Sequence, residues 1–176
     1  AGCGMIREMM IRTSLLLLLL SSPAFAQTAE NGLLVLNGAS AASLDIGSYY
    51  ARKRGIPESN ILKLRTGTGE TISREDFGPQ IETPVASWLL QNAAQDRILY
   101  IVLTRGVPLR IAGTSGPEGT VASVDSELTL LYRRMLGFSL PAAGMIRNPY
   151  FLGDAPIGKA KPFLHSDHDI YLVSRL

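Results

Sequence analysis

Four short apolar-rich runs punctuate the chain: Leu33-Leu34-Val35-Leu36, Ile61-Leu62-Lys63-Leu64, Ile98-Leu99-Tyr100-Ile101-Val102-Leu103 and Ile170-Tyr171-Leu172-Val173. Runs of this length, apolar on both sides of the pleat, suit strands buried on both faces of a parallel sheet. Between them lie segments with helical start and stop signals. Ser40 or Ser43 can cap a helix that runs through Ala51 to Arg54, with Gly55 in the left-handed stop position. Ser73, followed by Glu75 and Asp76, reads as a second helix start. Pro84 is expected to kink or restart that helix, which then carries Val85, Trp88, Leu89 and Leu90 toward the core. Ser123 opens a third, containing Leu128, Leu131, Tyr132 and Met135 and ending near Gly137. Residues 113–120 are a Gly/Ser/Thr-rich loop, and 139–161, rich in Pro, Gly and Ala, read as irregular. The order βαβαβ followed by αβ predicts an α/β domain: a three-layer, mostly parallel sheet with helices on both faces, in Rossmann-like or caspase-like order.

The N-terminus has a different character. Arg7 and Arg12 precede the unbroken run Leu15 to Leu20, and Ser21-Ser22-Pro23 leads into Ala24-Phe25-Ala26. A basic region, an apolar stretch and a small-x-small triplet are the marks of a cleaved secretory signal. Residues 1–26 are therefore expected to be leader and 27–176 a single domain, placing the protein in the periplasm or outside the cell. The apolar run falls well short of the ~20 residues a membrane anchor needs, so no stable span is expected after cleavage. The last apolar run stops almost at Leu176, which suggests a domain that continues beyond this residue.

With 176 residues, 46% of them apolar, the chain is long enough for one core. The net charge of +2 is too small for a nucleic-acid footprint. Removing the leader takes away two cations and one anion and leaves +1. It also removes Cys3, the single cysteine, and with it any thiol nucleophile or thiolate ligand. Neither a cofactor nor a metal is implied.

In open α/β sheets, ligands sit beyond the carboxyl ends of the strands. That rule selects Asn37 and Gly38, the loop 66–70, and Thr104-Arg105-Gly106. Asn37, Thr104 and Arg110 are candidate ligand-binding residues, and Arg105 and Arg110 can clamp a carboxylate or phosphate. The structural alternative has these arginines pairing with Asp125 or Glu127. Asp125 and Glu127, at the start of the third helix, favour capping but can also serve with Arg105 as a catalytic set. Thr66-Gly67-Thr68-Gly69 is a weak candidate for a phosphate nest. His165-Ser166-Asp167-His168-Asp169 has loose spacing for zinc and reads as a solvated loop.

Several blocks carry a resemblance: Asn37 to Ser40, Tyr49 to Pro57, Glu70 to Ser73, Leu103 to Arg110 and Ala122 to Leu128. Together they resemble a family of exported bacterial proteins found in genomes with the exosortase surface-sorting system. The resemblance spans nearly all of residues 27–176 and implies an envelope context rather than a reaction. More distantly, Tyr49-Tyr50 and Gly55-Ile56 ahead of an apolar strand are similar to the caspase-like fold of gingipain-type peptidases. That chemistry needs a Cys-His dyad, and no cysteine follows the leader.

Two functional expectations result. The first is an envelope accessory factor of exosortase-type sorting or surface-polymer production, whose strand-end arginines recognise an acidic peptide or polysaccharide. The second is a hydrolase, peptidase-like or glycan-directed, with a non-cysteine site formed by Arg105, Asp125 and Glu127. Whether the protein is an enzyme stays open at this level.

Overall fold

The computed structural model describes residues 28–148, 163, 165 and 169–176. The expected leader and most of the Pro/Gly-rich segment lie outside them. Strand β1 is Gly32–Asn37, with every residue buried. Helix α1, Ala41–Arg54, is capped by Ser40, whose hydroxyl accepts from the Ser43 amide, and closes on Gly55 at φ 66°. Between the two candidate caps, Ser43 is thus left free for another role. Strand β2 is Ile61–Leu64. After a two-residue strand β3, Thr71–Ile72, Ser73 caps helix α2, Arg74–Phe77. A wide π turn over Gly78–Glu82 leads into α3, Thr83–Gln91. Where a kink or restart is expected at Pro84, the helix widens just ahead of it and restarts at Thr83, which donates back five residues to Gly78. Proline has no N–H for the residue four back, and the widened turn absorbs that loss.

Strand β4 is Tyr100–Leu103, β5 is Arg110–Ile111 and β6 is Ala122–Ser123. The third expected helix is two short ones, α4 (Val124–Thr129) and α5 (Leu131–Met135), divided at Leu130, where ψ opens to −3°. Strand β7 is Leu172–Arg175.

The main sheet has the order β2-β1-β4-β7, with all three pairings parallel. The expected α/β architecture is thus present, with helices on both faces. Alternation along β1 divides the core. Leu33 and Val35 join Val85 and Leu89 of α3 and Leu128 and Leu131 of α4 and α5. Leu34 and Leu36 turn the other way, onto Ala51 of α1 and Val102 of β4. Gly47 lets α1 lie close to the sheet, because a Cβ there would collide with the Leu36 side chain. A second sheet, β3-β5-β6, lies outside the sequence expectation. Its two-residue strands are too short to show an alternation. Among the described residues, no helix is long and apolar enough to cross a membrane.

Candidate functional site at the carboxyl edge

The chain passes from β1 to β2 on one side and then crosses back to β4 on the other. This reversal puts the topological switch between Asn37, the last residue of β1, and Thr104, just past β4. Both are wholly buried. The Asn37 Nδ2 faces three carbonyl oxygens: Thr66 at 3.1 Å, Gly67 at 3.2 Å and Gly106 at 2.7 Å. Its Oδ1 accepts from the Ala39 amide at 3.0 Å. An amide with two hydrogens and three acceptors is fully engaged. Asn37 therefore acts as a staple that draws the loops after β2 and β4 together.

Ser43 and Thr104 complete this polar floor. The Ser43 hydroxyl accepts from the Asn37 amide at 2.8 Å and lies 2.5 Å from the Thr104 hydroxyl. With Ser43 donating to Thr104, and Thr104 to the Val35 carbonyl at 3.3 Å, each hydroxyl is satisfied. Gly106, at φ 94°, approaches so closely that a Cβ there would meet the Ser40 hydroxyl. The buried Thr66 Oγ1 stands beside this network without a hydrogen-bond partner among the described residues. The carbonyls of Thr66 and Gly67 turn toward Asn37, whereas a phosphate nest presents amides.

The candidate charged residues separate into two groups. Arg105 follows Thr104 at the carboxyl edge, exposed and with no ion-pair partner among the described residues. Arg65, next to Thr66, has the same status at the end of β2. Arg110 is also exposed, but it lies on β5 and lines a shallow cavity of about 540 Å³ with Leu109 and Val121, a cavity that does not include Arg105. The expected Arg105–Arg110 clamp is therefore not assembled around one cavity.

The acidic candidates are occupied. Asp125 is ion-paired to Arg175 at the end of β7. The same guanidinium donates to the carbonyls of Val107 at 2.7 Å and Pro108 at 3.0 Å. Glu127, mostly buried, pairs with Arg74 at 2.6 Å and with Arg134, which also holds Glu82 at 2.8 Å. Neither Arg105 nor Arg110 is the counter-ion of Asp125 or Glu127, so the pairing considered from sequence is replaced by Arg175, Arg74 and Arg134. These partners are 50 and 53 residues away, or seven for Arg134. Nothing local in the sequence marks them. Ser123 supplies the helix cap, accepting from the Ser126 amide at 2.9 Å. Glu82 has its pKa raised, chiefly by burial, with Arg134 acting in the opposite direction.

His165 is not a solvated loop residue. Its ring stacks on Tyr132 at 4.4 Å and meets Phe163 and Tyr171 edge-on. Residues 166–168 of that run lie outside the described residues. Among the described residues, no cluster of three or more metal-ligating side chains forms. No family model matches the sequence, and neither a curated protein nor a solved structure is a match.

Proposed function

We propose that this chain is an exported α/β binding domain of the cell envelope, an accessory to surface sorting or surface-polymer production, that holds an acidic partner at the carboxyl edge of its sheet. The observation that carries this reading is the contrast between its charges. Arg105 is exposed at the switch-point edge with no counter-ion among the described residues, while Asp125 and Glu127 are held by arginines. A guanidinium presents a planar fork that matches a carboxylate. The buried Asn37, Ser43 and Thr104 fix the loop on which it stands. The envelope setting comes from the leader pattern and from the resemblance of the blocks around Asn37, Arg105 and Asp125.

The competing reading, a hydrolase using Arg105, Asp125 and Glu127, requires both carboxylates to leave their ion pairs. Nothing in the arrangement favours it over binding.

The test is a thermal melt of the full chain with polyglutamate and polygalacturonate, for the wild type and for R105A and R105K. A ligand that binds only the folded state at 100 times its Kd adds about 2.7 kcal/mol, a visible shift. Binding is expected to weaken at least tenfold in R105A, to survive in part in R105K, and to fade with added salt. A polyanion that shifts R105A as far as the wild type would refute the reading. So would the absence of any polyanion-induced shift, or cleavage of the polymer that D125N and E127Q abolish.

A further inference from the structure

The ring of His165 lies between two backbone carbonyls. Nδ1 is 2.9 Å from the Ile170 oxygen and Nε2 is 2.6 Å from the Ile98 oxygen. A carbonyl oxygen only accepts, so each contact is a hydrogen bond only when that ring nitrogen carries a hydrogen. A neutral imidazole carries one hydrogen and can make one of the two bonds. The imidazolium makes both.

The surroundings suit a cation. The ring stacks on Tyr132 of α5, with an interplanar angle of 12°. The edges of Phe163 and Tyr171 pack around it at 5.4 and 5.2 Å. The face of Tyr132 attracts a cation at this separation. Among the described residues, the charged and titratable groups brought by the packed elements are the phenols of Tyr132 and Tyr171, the carboxylates of Asp96 and Asp169, and the guanidinium of Arg133, next to Tyr132 on α5. Asp96 accepts from the Tyr132 hydroxyl at 2.6 Å, and Tyr171 donates to the Gln95 carbonyl at 3.0 Å. Asp169 acts on Tyr132 through its charge, and its amide donates to the His165 carbonyl at 2.9 Å. Both carboxylates are of the sign that favours a charged ring.

The two carbonyls belong to the approaches to β4 and β7, neighbours in the main sheet. We propose that His165 is an acid-strengthened latch, protonated on both ring nitrogens, that ties the entry of β7 to the entry of β4. The imidazolium makes both bonds of the latch, and the neutral ring gives up one of them.

The test uses the full chain with ¹⁵N-labelled histidine, and H168Q assigns the signals, since the sequence has two histidines. At pH 6 the expected spectrum shows two slowly exchanging ring N–H resonances for His165. In parallel, Tm is measured from pH 5.5 to 8.5 for the wild type and H165Q. The wild type is expected to exceed H165Q at pH 5.5, and the gap to narrow by about 3–6 °C on going to pH 8.5. One N–H resonance with a free second nitrogen at pH 6 overturns the proposal, as do parallel Tm curves. Should H165Q fail to fold, the wild-type spectrum alone decides.

Discussion

The side-chain amide of Asn37 donates to the carbonyl of Gly106 at 2.7 Å, joining the end of β1 to the turn after β4 across 69 residues. This bond, with those to Thr66 and Gly67, makes the candidate site a rigid edge rather than two independent loops. Replacing Asn37 with Ala leaves the carbonyl of buried Thr66 and those of Gly67 and Gly106 without this donor, and N37D turns an acceptor-only group toward them. N37A is expected to cost about 2–4 kcal/mol in urea unfolding, with N37D worse. A cost below about 0.5 kcal/mol for N37A, the level of an ordinary surface change, would show that Asn37 is not a staple.

Thr66 tests the same network from the opposite side. Its hydroxyl is buried and has no partner among the described residues, so it carries a desolvation cost with no bond in return. T66V keeps the branched shape and removes the polar atom, and is expected to raise stability by about 1 kcal/mol. A clear loss of stability in T66V would mean that the hydroxyl has a partner in solution.

The reading of the first half of the chain from sequence rested on signals that local physics imposes. Ser40 and Gly55 bracket α1 because a capping hydroxyl and a left-handed residue each answer an unsatisfied helix end. The entries of β4 and β7 were less legible. The apolar runs begin at Ile98 and Ile170, but pairing starts two residues later in each, at Tyr100 and Leu172. The reason is tertiary: the Ile98 and Ile170 carbonyls face His165, and the Tyr171 amide donates to Thr129. Asn37, Thr104 and Arg105 were found by the strand-end rule, but the rule could not separate a staple from an exposed cation. That distinction depends on partners such as Gly106 and Ser43, brought in by the fold.

Gly47 and Leu36 form a packing pair that a mutant cycle can isolate. A methyl group on Gly47 would collide with the Leu36 side chain, so G47A is expected to cost about 1–3 kcal/mol despite alanine's better helix propensity. In an L36A background the same change finds room, and its cost is expected to vanish or reverse. Costs for G47A that are equal in both backgrounds would put the strain elsewhere.

Glu82 and Glu127 share Arg134 but are expected to respond differently. E127Q leaves Arg74 and Arg134 without their common carboxylate and is expected to cost about 1–3 kcal/mol, less than a fully buried pair because both arginines reach solvent. Glu82 has a raised pKa, so the folded chain binds its proton more tightly than the unfolded chain does. Its contribution to stability is present below the ordinary carboxylate value of 4.5 and is lost as pH rises through the higher folded value. E82Q is therefore expected to gain stability relative to the wild type between pH 4 and pH 7. Urea midpoints across that range that favour the wild type increasingly with pH would contradict the desolvation argument.

The alkaline limb should belong to the aromatic cluster at the entry of β7. Burial and the hydrogen bond to Asp96 push the Tyr132 phenol up to about 12, and burial raises Tyr171 further. Both phenols are held neutral by the fold, so their contribution is intact below the usual phenol value of 10.0 and is lost as pH climbs toward the folded values. In an absorbance titration, two of the six tyrosines should ionise late and together with unfolding. Y132F removes the hydroxyl that donates to Asp96 and should lower stability at neutral pH while flattening the loss above pH 10. If all six phenols ionise in one ordinary step while circular dichroism still reports a folded chain, the cluster is open to water, and the aromatic enclosure around His165 would have to be abandoned with it.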